Sequence, residues 1–295
     1  MSGGKLRRAL IVGPPLLWLG LFFLAPFLIV LKMSLSHSAA AVPPYAPHWP
    51  GLAGLSEFLA GLNLDNYRTL AEDDLYLSAY LSSLGLAFVS TTLCVLIGFP
   101  LAYAIARAPR RWRAVLVVAV ALPFWTSFLI RVYAWMAILR PQGVLDAALM
   151  ALGVTSGPLN LLNTQTAVII AMVYSYLPFM ALPLYASLER LDRTLIEAAQ
   201  DLGATRWAAL WSITIPLAWP GLAAGIFLVL IPSIGEFVIP DLLGGSDVLM
   251  VGKVLWTEFF SNRDWPLASA VAVVMLAVLV APLALFQRLA GRELR

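Results

Sequence analysis

The sequence predicts an all-α integral membrane protein of about six transmembrane helices, with N- and C-termini cytoplasmic. Three observations predict it: an apolar composition, long runs almost free of charge, and the placement of basic residues between those runs. The 295 residues are 61% hydrophobic and only 12% charged, with a mean hydropathy of +0.87. A soluble domain carries roughly 25% charged residues, so the charges here must be confined to short stretches.

The runs follow in order. Residues 9–31 hold 23 positions without a charge, 75–106 hold 32, and 114–139 hold 26 with Arg131 alone inside. Residues 147–188 hold 42, 207–235 hold 29 and 265–287 hold 23. A helix needs about 20 apolar residues to cross the hydrocarbon core, so six runs predict six spans. The 42-residue run has room for two, but Gly153, Gly157, Pro158, Asn160 and Asn163 break its first half. That half reads as an external loop with a re-entrant or interfacial piece. The first run follows Lys5, Arg7 and Arg8 and precedes Ala39-Ala40-Ala41, so a cleaved leader is the alternative. A leader's apolar region is typically about 7–15 residues, which favours a retained first helix.

Basic residues set the orientation. With the N-terminus inside and six crossings, inner segments hold 13 of the 19 Lys and Arg, from Lys5 to Arg295, and outer segments hold six. Acidic residues divide 5 inside and 11 outside. This bias accounts for the net charge of +3 without a nucleic-acid partner. Cys94 is the one cysteine, so no intrachain disulfide forms, and within a span it reads as a small packing residue.

Several chemistries are absent. Neither Gly4-Lys5 nor Gly252-Lys253 has the glycine spacing or the following Ser/Thr of a phosphate-binding loop. His37 and His48 lie in one loop without cysteine or carboxylate partners, so no metal site and no cofactor is expected. No catalytic cluster can be assembled at membrane depth, which argues against a membrane-embedded enzyme.

The longest inner segment reads ERLDRTLIEAAQDLGATRW over 189–207 and continues ALWSITIPLAWPG. Asp192 can cap a short helix, with its acid at the positive end. Leu191, Leu195, Ala198, Ala199 and Leu202 recur at helical spacing, Gly203 ends the helix, and Pro216 and Pro220 begin the next span. From these residues alone, this is a surface helix-turn-helix or an ordinary re-entry loop.

Glu197-Ala198-Ala199, then Gly203, Ile213 and Ile215-Pro216, resembles the EAA loop of ABC importer permeases. Ile215 stands where that family usually has leucine. The stretches PLAYAIAR at 100–107, LPFWTSFLIRVYAW at 122–135, YLPFMALPLYASLE at 176–189, GIFLVLIPSIGEFVIPDLLGG from 225 and VGKVLWTEFFSNRDWPLASAVAV from 251 resemble the polyamine (putrescine/spermidine) permeases. Together they cover most of the chain after about residue 75; the segment 34–74 carries no motif.

The resemblance implies a type I ABC importer permease fold. Residues 1–74 would form a first helix and external loop, and 75–288 a five-helix core with spans at about 77–106, 114–139, 165–188, 211–235 and 266–287. The coupling loop would be 189–210, and 289–295 a cytoplasmic tail. Implied partners are a second homologous permease subunit, two ATP-binding subunits, an external substrate-binding protein and membrane lipid. Glu197, Ala198, Ala199, Asp201, Gly203, Ile213 and Pro216 would form the ATPase-coupling loop. The same machine carrying sulfate, molybdate, ferric ion or an aminophosphonate is the nearest alternative. A secondary transporter would show repeated halves with broken helices, and none is visible.

Charges at membrane depth are functional candidates. Arg131 and Glu236 are the two clear cases. They are read either as an intramembrane ion pair or as part of a cationic path. In the second reading Glu236 and Asp241 attract substrate, and Trp125, Tyr133, Trp135, Tyr174 and Tyr176 offer ring faces to ammonium groups. An interfacial aromatic belt is the plain alternative for the rings. Asp247, Glu258, Arg263 and Asp264 are the expected contacts with a binding protein.

Overall fold

The computed structural model describes residues 3–48, 60–246 and 248–293. Contacts divide the chain into two units, residues 78–253 and the segments flanking them.

In the flanking unit, α1 (Gly3–Leu19) and α2 (Ala25–Ser34) are joined by a π-helical turn at Gly20–Leu24. The turn falls one residue before Pro26, whose ring would clash with the carbonyl of Phe22 in a regular helix. A short hairpin pairs His37–Ser38 (β1) with Tyr45–Ala46 (β2). Lys32 reaches this hairpin, with Nζ 4.0 Å from the Tyr45 ring centroid and donating to the Pro47 carbonyl at 2.6 Å. The helix α3 (Asp65–Glu72) is held by Asn66, which donates to the carbonyls of Ser34 and Ser36 at 2.9 and 2.7 Å.

The central unit begins within α4 (Asp74–Arg107). The elements α5 (Arg110–Ala121), α6 (Phe128–Leu139) and α7 (Val144–Ala151) follow. The long α8 (Gln165–Glu189) leads into α9 (Arg193–Asp201), α10 (Arg206–Ala209), α11 (Ile215–Ile234) and α12 (Val238–Leu243). The helix α13 (Val251–Trp256) then runs through a π turn at Thr257–Ser261 to α14 (Trp265–Glu293).

Among the described residues four helices are long and apolar enough to cross a membrane: Leu10–Ser34, Asp74–Arg107, Gln165–Glu189 and Arg206–Ile234. A further apolar stretch is bent, as a broken span or a re-entrant loop is. Arg110–Trp125 and Phe128–Ala151 meet at 89°, so the continuous helix expected over 114–139 does not form. Pro123 opens a 3-10 turn at Leu122–Trp125, and Thr126 and Ser127 are extended, with ψ of 151° and 137°. The Pro123 carbonyl accepts from both the Thr126 N–H at 3.3 Å and the Thr126 hydroxyl at 2.8 Å. The sixth apolar run lies on α14, with its described apolar stretch at Trp265–Val280.

The helix α8 is the most buried of the four spans and packs along α11. Two glycines set their separation. A Cβ at Gly221 would lie 2.5 Å from Ser187 Cβ and 2.6 Å from the Pro183 carbonyl oxygen. A Cβ at Gly225 would lie 2.7 Å from Met180 Sδ. In lipid, apolar surface gives little drive for helices to associate, and small residues that let backbones approach supply the packing instead. The Gly221→Val protein should therefore lose about 1–3 kcal/mol of stability through overpacking, read as a lower melting temperature in detergent; a melting temperature equal to the native one would contradict this contact.

Candidate functional site: the α8–α11 connection and the buried carboxylate

The connection between α8 and α11 folds as its residues predict. Asp192 caps α9 by accepting from the Thr194 N–H at 3.0 Å, and the Thr194 hydrogen bonds hold the Asp192 carboxyl below its usual value. Gly203 ends the helix with φ of +88°, and a Cβ there would meet open space. Only backbone conformation, not crowding, therefore demands glycine. Thr205 caps α10, accepting from the Ala208 N–H at 3.2 Å. Pro216 stands at the start of α11 after a π-helical turn at Leu210–Thr214, which includes Ile213 and accommodates the proline ring four residues on from Ser212.

The faces of α9 are inverted relative to a soluble helix. Ile196 is its only buried residue, and Arg193, Ile196, Glu197 and Gln200 line clefts toward the protein's own helices. The apolar residues Leu195 and Leu202 are instead 48% and 90% exposed, beside exposed Ala198 and Asp201 and half-buried Ala199. Trp207 is 72% exposed. The connection thus turns an apolar face outward.

The second constellation surrounds Glu236, which is buried just beyond the end of α11. One carboxylate oxygen accepts from the N–H groups of Val238 and Ile239, at 3.0 and 3.4 Å, at the start of α12. The other accepts from the hydroxyl of Tyr176 on α8. Glu236 is not paired with Arg131. Arg131 Nε and Nη1 are buried without hydrogen-bond partners, and the guanidinium lies 5.4 and 5.6 Å from the ring centroids of Phe124 and Phe128. Phe124 meets Phe179 edge-on at 4.7 Å, and Phe179 lies 6.2 Å from Tyr176. The ion pair offered as one reading does not form; Arg131 lies against Phe124 and Phe128, and Glu236 against Tyr176.

The remaining expected path residues do not converge. Trp135 and Tyr174 form a T-shaped pair at 5.3 Å. Two positions along a helix differ by about 200°, so Tyr174 and Tyr176 face apart. Trp125 and Tyr133 are 78% and 54% exposed. Asp241 pairs with Lys253 at 3.5 Å.

The expected binding-protein contacts divide as well. Asp247 lies outside the described residues. Glu258 is buried in the flanking unit, accepting from the Tyr76 hydroxyl at 3.2 Å and Asn262 at 2.8 Å, so it is not a surface contact. Asp264 caps α14 through the Leu267 N–H at 3.1 Å. Arg263 is exposed, with φ of 54°. One residue not singled out from sequence is Asp146, buried on α7, which gathers the N–H groups of Gln142 and Leu159 at 3.0 and 3.2 Å. An acid inside an apolar octet was its only signal.

A family model described as the binding-protein-dependent transport system inner membrane component matches residues 9–295. The chain belongs to this family. It is an inner-membrane permease with the fold of type I ABC importers. It is 39% identical over 266 residues to the spermidine/putrescine transport system permease protein PotB of Haemophilus influenzae, covering 89% of this chain and 88% of that one. PotB of Escherichia coli is 42% identical over 216 residues, covering 73% and 78%. In fold, the permease matches a bacterial alginate ABC transporter solved with a pentasaccharide-bound periplasmic protein, with a TM-score of 0.72, 17% identity and coverage of 99% and 98%.

In this permease, Tyr176→Phe removes one of three donors to a buried carboxylate. A hydrogen bond to a charged group contributes about 1.5–3 kcal/mol, so the variant should melt earlier in detergent by that free energy. An unchanged melting temperature would show that the Tyr176–Glu236 bond contributes nothing to the folded state.

Proposed function

We propose that this chain is the permease subunit of an ATP-driven importer of polyamines such as putrescine and spermidine. The observation that carries the reading is identity of 39–42% to spermidine/putrescine permeases over most of the chain. Both termini face the cytoplasm, as the basic residues indicate. The chain pairs with a second, related permease. One of two ATP-binding subunits docks against the exposed apolar face of α9, the other serves the second permease, and an external binding protein delivers the substrate. The chain itself makes and breaks no bond; ATP is hydrolysed by the separate subunits.

The coupling role of α9 follows from mechanics. A membrane subunit without a nucleotide site must receive work through a rigid contact. A short capped helix, joined at one end to α8 and through α10 to α11, transmits that work directly to both spans. Leu195, Ala198 and Leu202 supply the contact, with Asp201 at its edge, Gly203 at the turn and Glu197 behind it in the cleft.

Glu236 is the anionic group of the cation path. A carboxylate offers about four lone-pair positions, and three are taken by Tyr176, Val238 and Ile239. The remaining one can accept from a passing ammonium, and the Tyr176 ring beside it offers a π face. The test is uptake of labelled putrescine and spermidine by cells lacking this chain. The native gene should restore uptake, and Glu236→Gln should lower it about tenfold, which is about 1.4 kcal/mol, with assembly unchanged. Native uptake by the Gln variant would remove Glu236 from the path. Uptake of both amines that never depended on this chain would remove the polyamine assignment.

A further inference from the structure

Five arginines line two adjoining clefts behind α9: Arg107, Arg110, Arg113, Arg193 and Arg206. The clefts have volumes of about 210 and 300 Å³ and share Tyr103, Arg107 and Arg193 in their walls. The acidic lining is Glu189 and Glu197 alone, so the walls carry three more positive than negative charges. The protein uses little of this charge internally. Arg113 lies 3.6 Å from Glu189 and donates to the Ala108 carbonyl. Arg193 donates to the Ala106 carbonyl at 3.3 Å, and Arg107 lies 4.8 Å from the Tyr103 ring centroid. Among the described residues, Arg110 and Arg206 make no ion pair and no side-chain hydrogen bond.

A third cleft continues from the same place. It is about 620 Å³, begins at Arg110 and Arg113, and runs past Ala114 and Val117 on α5 and Tyr185 on α8. Beyond the arginines its walls are Ala114, Val117 and the Tyr185 ring, with Glu189 held beside Arg113 at the charged end. A charged pocket opening onto an apolar groove matches an amphipathic anion.

We propose that these clefts bind an anionic phospholipid of the cytoplasmic leaflet, with the phosphate among the arginines and an acyl chain along the α5 groove. Guanidinium groups bind phosphate oxygens through paired charge-assisted hydrogen bonds. Basic pockets between membrane helices on the cytoplasmic side suit such headgroups. Small-ligand sites are about 300–1,000 Å³, a range the two adjoining clefts reach together. Because Arg193, Glu197 and Gln200 on α9 line the second cleft, the bound lipid braces the coupling helix from behind and leaves its outer face free. The leaflet assignment rests on the orientation given above; lipid retention itself does not depend on transport.

The test uses the assembled importer in nanodiscs of phosphatidylcholine, with and without phosphatidylglycerol. Native mass spectrometry reads the phosphatidylglycerol retained after release. The native complex should retain it about tenfold better than the Arg110→Gln/Arg206→Gln double variant, and the Arg140→Gln control should match the native complex. A second reading needs no variant: added phosphatidylglycerol should raise the melting temperature of the native complex, and inorganic phosphate should not. Equal retention by native and double-variant complexes, or no thermal response to phosphatidylglycerol, overturns the site. A thermal response to inorganic phosphate of the same size overturns the lipid assignment in favour of a soluble anion.

Discussion

The close approach of α8 and α11 is the contact on which the rest of the central unit depends. Gly221 and Gly225 bring the α11 backbone against Pro183, Ser187 and Met180, with no room for a side chain between. The connection between these two helices is the segment containing α9 and α10. In the proposed coupling role, a force on α9 would act on two helices that are packed without a gap. The same contact brings the end of α11 beside Tyr176, so the buried carboxylate and the surface lever sit at opposite ends of one helix pair.

Membrane depth explains the other arrangements. Glu236 is kept buried by three donors, two of them backbone groups that the start of α12 leaves free. Arg131 is accommodated differently, against the faces of Phe124 and Phe128 at the 89° bend. An unpaired carboxylate and an unpaired guanidinium would each carry a large desolvation cost in lipid. Hydrogen bonds and ring faces offset it here without bringing the two charges into contact.

Much of this was legible in the sequence. Long apolar runs mark their spans because lipid allows no other backbone solution for a lone segment. Asp192 and Gly203 marked the ends of α9 because capping and positive φ favour few residue types. The break at Thr126 and Ser127 was not legible. Pro100, Pro178 and Pro183 all sit inside continuous helices, so Pro123 carried no distinguishing signal. The apolar stripe of α9 could be read, but not that it points outward, since spacing reveals a face and not its direction. Glu258 read as a loop acid because its partner Tyr76 lies far away in sequence. The sequence left Arg131 and Glu236 either as a pair or as part of a path, because it could not place Arg131 against Phe124 and Glu236 against Tyr176.

The central claim is that work enters the permease through α9, and Gly203 tests it most directly. A side chain at Gly203 meets no neighbouring atom but strains a backbone at φ of +88°, by about 1–2 kcal/mol. The change therefore stays local to the end of α9. ATP hydrolysis and labelled spermidine uptake should be measured together in proteoliposomes holding the native or the Gly203→Val importer. The account predicts that the variant assembles and still hydrolyses ATP, with uptake lost and hydrolysis no longer stimulated by the loaded binding protein. Uptake per assembled complex equal to the native value would contradict it, and would place the transmission of work elsewhere in the chain.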